Sequence, residues 1–248
     1  MPQAEFLAVC CATLSIAAAQ VPPAPGRIVD LARMAASLDL TETGVRRWLE
    51  QLGAGSLGAP GEQLMAVSPT GTPLLDRRGG SGSSVRLDPE LDTLLREPDR
   101  SVVLIHNHPA SGGLSAADVG QLAKAGVAAI VAVGHDGSVF AAAAGPQFDR
   151  DFFEERQYAV ARAEVFKRLR AEWPSGRLSV PVSDAHLSHL VTLALARANV
   201  VRYWFELRGV NRESFEAARF IFGRAVTGAA DRLRKNAHRE RHPGRSQS

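Results

Sequence analysis

The chain has 248 residues, 45% of them hydrophobic and 22% charged, with a formal charge of +3. That is enough apolar material for one compact domain with smaller helical parts. The small net charge, without basic–aromatic interleaving, argues against a nucleic-acid platform. The only two cysteines, Cys10 and Cys11, are adjacent and exclude a disulfide framework.

Phe6 to Ala19 is an apolar stretch ahead of the Pro-rich segment Val21 to Gly26. Ala17 to Ala19 resembles a signal-peptidase site, but Met1 to Glu5 carries an acid and no Lys or Arg, the wrong start for a leader. The run is also short for a bilayer span. The expectation is a buried N-terminal helix in a cytoplasmic protein with no membrane partner; secretion through residues 1–19 stays open. Arg27 to Leu52 has helical periodicity. Asp39 to Glu50 has the pattern of the second half of a helix–turn–helix, but it is short and only modestly basic. Residues 1–55 therefore read as a helical N-terminal segment, and nucleic acid is not an expected partner.

Glu62 opens an apolar run that breaks at Pro69-Thr70-Gly71, and Thr72–Gly80 and Ser84–Leu87 read as further strands of a meander. Asp88 to Arg100 reads as a helix and loop crossing over the sheet. It contains Glu90 and Glu97, which are poor candidates for a catalytic acid there. Ser101 to Ile105 is a short buried strand of β-branched and aliphatic residues.

His106 and His108 follow at the end of that strand. Residues i and i+2 of a strand face the same way, so the two imidazoles can aim at one point while Asn107 faces the other side. Pro109 suits the strand's end. Gly112-Gly113 marks a turn, and Ser115 reads as the N-cap of a helix to about Ala125. Asp118 falls in its first turn. Two neutral imidazoles, a carboxylate and an open fourth position are what catalytic zinc requires. Each part also has a plainer reading: Ser115-x-x-Asp118 is a capping-box-like start, and a lone His-x-His is often incidental. Their conjunction favours metal binding.

Gly126 to Val133 is another buried strand. Gly134 to Gly137 is a hairpin turn, and Ser138 to Ala142 is the return strand. His135 in the turn reads as a surface residue. Asp149 to Trp173 reads as one charged amphipathic helix ended by Pro174-Ser175-Gly176. A second runs from Ser183 through Trp204 and Leu207, and a third from about Asn211 to Arg234. His186 and His189 are spaced i, i+3 with no nearby acid, so they read as helix-surface or core histidines. Residues 148–234 thus form a helical C-terminal region, a candidate surface for a protein partner. The basic residues 235–248 read as a disordered tail.

His106-x-His108-Pro109 with Ser115-x-x-Asp118 resembles the metal-binding motif of the JAMM (JAB/MPN) metalloprotease family. Its HNHP form is most similar to RadC-like proteins, phage head-morphogenesis proteins and toxin-associated JAB domains. Five positions are fixed within thirteen residues. The interval from His108 to Asp118 is one residue shorter than in the commonest family form and matches short-loop variants. The resemblance covers about 60–147. It implies an α+β fold, a JAB/MPN-like (cytidine-deaminase-like) curved mixed sheet with packed helices, here over 56–147 with helical N- and C-terminal extensions. It implies zinc (Zn2+) held by His106, His108 and Asp118, and a Ser115 hydroxyl that polarises the substrate carbonyl or binds its oxyanion. It also implies an upstream glutamate as general acid/base; Glu62, forty-four residues before His106, fits that position. The implied activity is that of a zinc-dependent hydrolase, a metallopeptidase or isopeptidase, acting on a peptide or protein conjugate. The alternative is a catalytically inactive scaffold or binding domain in a phage, toxin or nucleic-acid-associated assembly, which loss of the glutamate would signal.

Overall fold

The computed structural model describes residues 31–38, 40–44, 61–79, 89–98 and 101–241. The apolar run Phe6–Ala19, most of the helix–turn–helix-like segment, the Ser84–Leu87 strand and residues 242–248 lie outside them.

The elements in chain order are α1 (Leu31–Leu38), β1 (Gln63–Val67), β2 (Pro73–Gly79), α2 (Pro89–Arg96), β3 (Val102–His108) and α3 (Ala116–Gly120). Then come β4 (Val127–Gly134), β5 (Val139–Ala144), α4 (Ala159–Arg170), α5 (Val180–Arg197), β6 (Val201–Glu206) and α6 (Gly209–Arg241). The fold is α+β: one six-stranded mixed sheet, ordered β2-β1-β3-β4-β5-β6, with helices packed on it. Only β3 and β4 run parallel, joined through α3; every other neighbouring pair is antiparallel.

The alternation of side chains along the strands builds two cores. Leu64, Ala66, Val102, Leu104, Ile130, Ala132, Phe140 and Ala142 belong to the larger, which also holds Leu91 and Leu95 of α2 and the buried residues of α4, α5 and α6. Met65, Val67, Val103, Ile105, Ala129, Val131, Ala141 and Ala143 belong to the smaller, under Met34, Ala35 and Leu38 of α1. β3 is buried along its whole length. That explains its continuous apolar run: a strand covered on both faces has no solvated side to alternate with. Each fully buried Leu in this layer stabilises by about 1.5–3 kcal/mol.

Four expectations change. The segment through Trp204 is not helical. α5 ends at Arg197, Asn199 takes a left-handed φ of 60°, and Val201–Glu206 forms the sixth strand on β5. Val-Arg-Tyr-Trp-Phe is β-branched and aromatic, so its propensity favours the strand. The sheet therefore draws a strand from beyond residue 147. α5 also starts earlier than Ser183, with Ser179 as N-cap accepting from the Val182 amide and a proline in the first turn. The Asp149–Trp173 segment opens as a π-helical turn at Phe153–Tyr158 before α4. Finally, α6 continues past Arg234 to Arg241, so the first part of the expected disordered tail is helical. Lys, Ala, Glu and Arg there are good helix formers, and no Gly or Pro intervenes before Pro243.

Among the described residues no helix is long and apolar enough to cross a membrane.

Candidate metal centre

β3 delivers the two histidines as strand geometry requires. His106 and His108 project to one face and bring their Nε2 atoms within 2.8 Å of each other. The carboxylate of Asp118 closes the group, with Oδ1 3.2 Å from His106 Nε2 and Oδ2 3.4 Å from His108 Nε2. Four-coordinate zinc with bonds of about 2.0–2.1 Å sets neighbouring ligand atoms about 3.3 Å apart. The two nitrogen–oxygen distances match that spacing while the two Nε2 atoms stand closer, and the group could hold a metal ion.

The loop between β3 and α3 orients the set. His108 Nδ1–H donates to the Gly112 carbonyl at 2.8 Å, which leaves the Nε2 lone pair facing His106 and Asp118. Gly113 is required by packing: a Cβ there would lie 2.8 Å from the backbone of His189 on α5. Ser111 holds a φ of 54°, and its carbonyl accepts from Asn211 Nδ2 at the start of α6 while its Oγ accepts from the Asp136 amide. Asn211 Nδ2 also donates to Asp136 Oδ2. The C-terminal helix thus ties the site loop to the β4–β5 turn.

Ser115 and Asp118 form a complete capping box. Asp118 N–H donates to Ser115 Oγ at 3.2 Å, and Ser115 N–H donates to Asp118 Oδ2 at 2.7 Å. The cap and the candidate ligand are the same carboxylate. Capping fixes Oδ2 and so aims Oδ1 at His106. Ser115 Oγ accepts one bond in the cap and keeps its proton as a donor.

Glu62 stands just ahead of β1, with Oε1 4.0 Å from His108 Nε2. The structure thus brings together Glu62, His106, His108, Ser115 and Asp118. Glu90 and Glu97 are exposed, on α2 and just after it, whereas Glu62 is partly buried. The Glu62 and Asp118 side chains keep 13% and 18% exposure and the imidazoles 10% or less, so solvent reaches the group past the carboxylates.

The electrostatics fit the contacts. Burial raises the Glu62 carboxyl above the ordinary range against the pull of His106 and His108, with Asp118 adding to the rise. For Asp118 burial works the same way, but hydrogen bonds and charge from both histidines overcome it and hold the carboxyl well below its usual value. Burial opposes charge on His108; Asp118, the Gly112 carbonyl and Glu62 outweigh it, so its value is raised.

His106 Nδ1 is buried without a hydrogen-bond partner among the described residues. It is the one ring nitrogen of the pair that no described neighbour orients.

Sequence reasoning missed several residues here. His135 is no plain surface residue: its amide donates to the His108 carbonyl at 3.3 Å, and its Nε2 lies 3.1 Å from Asn107 Nδ2. Burial lowers its pKa against the charge of Asp136. Asn107 does face the other side, but fully buried and hydrogen-bonded. A polar residue near the end of a strand buried on both faces was the signal available for it.

No family model, curated protein or solved structure matches the chain.

Proposed function

We propose that the chain is a zinc-dependent hydrolase of the JAMM type, with a JAB/MPN-like sheet, that cleaves a peptide or isopeptide bond. The observation that carries this reading is the convergence of Glu62, across forty-four residues of sequence, on the His106–His108–Asp118 group. His106 Nε2, His108 Nε2 and Asp118 Oδ1 would hold the ion. When bound, zinc supplies a Lewis acid that makes water a usable nucleophile near neutral pH.

The chain's own residues do the rest. Glu62 is partly desolvated and has a raised pKa, which suits a group that takes a proton from water and passes it to the leaving amine. Ser115 Oγ–H, held at the helix start by its cap, donates to the substrate oxyanion. The Gly112 carbonyl fixes the His108 tautomer. Peptides and protein conjugates are the substrate class that the resemblance implies, and their amine leaving group would take the relayed proton.

The test is hydrolysis of a panel of peptide and isopeptide conjugates, before and after chelation and after zinc is restored. The reading expects cleavage that chelation abolishes and zinc returns. Cleavage unaffected by chelation contradicts it. So does a zinc-loaded, folded protein that cleaves none of the panel, which would favour the scaffold reading instead.

A further inference from the structure

β1 and β3 pair antiparallel from Val67↔Val103 to Leu64↔His106, and their ladder stops there. Continued by one and two residues, the register would set Gln63 against Asn107 and Glu62 against His108. Instead of the backbone, the Asn107 side chain takes over. Its Oδ1 accepts from the Gln63 amide at 2.5 Å, and its Nδ2 donates to the Gly61 carbonyl at 3.3 Å. The two bonds land on the residues either side of Glu62. Since a backbone N–H can only donate, the Gln63 bond fixes which end of the amide is oxygen. The Nδ2 end must then donate to His135 Nε2 at 3.1 Å.

We infer that Asn107 is the positioning residue for Glu62: one carboxamide clamps Gly61 and Gln63 and so fixes the carboxylate's distance from the metal group. The inference rests on the metal-centre reading above. No other side chain of this size does both jobs. Aspartate keeps the acceptor, loses the donor and adds a charge near Glu62. Leucine keeps the volume and loses both bonds. Asn107 projects to the face opposite His106 and His108, and its described bonds go to Gln63, Gly61 and His135 rather than to a ligand atom. Its removal should therefore move Glu62 without removing the metal.

The experiment uses the full chain with 13C-labelled glutamate carboxyls and cobalt(II) alone as the probe. The paramagnetic effect on the Glu62 carboxyl, assigned with Glu62→Gln, reads its distance to the ion directly. The unsubstituted protein should bind cobalt and show strong relaxation at Glu62. Asn107→Leu should keep cobalt affinity and lose that relaxation several-fold. Asn107→Asp, which retains the Gln63 bond, should fall between them. In the unsubstituted protein the Asn107 side-chain amide protons should exchange slowly with solvent, a measurement that needs no variant to fold. Undiminished Glu62 relaxation in a cobalt-loaded Asn107 variant overturns the inference and leaves the metal reading intact, and so does fast amide exchange. Failure of the unsubstituted protein to bind cobalt overturns both.

Discussion

Among the described residues two close pairs of histidines lie in opposite environments. His106 and His108 sit with ring centroids 4.6 Å apart, both against Asp118, with His108 4.0 Å from Glu62. His186 and His189 on α5 sit 6.5 Å apart, buried with the rings of Phe140, Phe205, Phe215 and Phe222 around them. Their hydrogen bonds go to hydroxyls, His186 to Ser214 and His189 to Tyr203. Carboxylates raise His108; burial alone pushes His186 down to about 4, while burial and its neighbour take His189 to about 3. Two nearby imidazoles do not make a metal site. The Asp118 carboxylate beside the first pair is what lets that group hold an ion, and the second pair is core.

The largest expected difference between the pairs is catalytic. Glu62→Gln should leave zinc bound and slow hydrolysis by about 10²–10⁴-fold, the usual contribution of a positioned general acid/base. Turnover at the unsubstituted rate would remove Glu62 from the mechanism. His186→Phe should change neither zinc content nor turnover; a loss of metal there would erase the distinction.

The two regions meet where Gly113 lies against the His189 backbone. Gly113→Ala puts a methyl 2.8 Å from that backbone, where helix and loop must part. Overpacking of this kind costs about 1–3 kcal/mol, readable as a lower denaturation midpoint. It should also weaken zinc binding, because the neighbouring Gly112 carbonyl orients His108. An unchanged midpoint would show that the two layers are not in tight contact.

The smallest effect is on acid stability. His186 and His189 are held neutral in the fold, while an unfolded histidine titrates near 6.5. Below about 6.5 the unfolded chain takes up protons that the folded core resists until about 4 and about 3. Their contribution is complete above that pH and is lost as pH falls through the window. His186→Phe should flatten the decline of stability between pH 6.5 and 4. Ser214 keeps its bond to the Val210 carbonyl, so the variant strands no hydroxyl. A pH profile parallel to the unsubstituted protein's would contradict the burial argument.

The site was more legible in the sequence than the framework around it. Strand alternation and a helix cap are local rules, so His106, His108, Ser115 and Asp118 could be placed from thirteen consecutive residues. Glu62 needed the family resemblance, because nothing local says that β1 lies beside β3. Asn107, His135 and Asn211 were missed for the same reason: each acts through a partner distant in sequence, on a sheet neighbour or across the site loop. β6 was misread although its β-branched and aromatic run is a strand signal, because the helical period of α5 leads straight into it. Asn199, the residue that tolerates the left-handed turn, marks the break.

Every role proposed for the site depends on His106, His108 and Asp118 holding a metal ion. The most direct test is elemental analysis of the protein purified without chelator, beside His106→Ala and Asp118→Ala. About one zinc per chain is expected in the unsubstituted protein, and background zinc in both variants with the fold retained. A folded, unsubstituted protein that neither carries zinc nor takes it up on titration would contradict it.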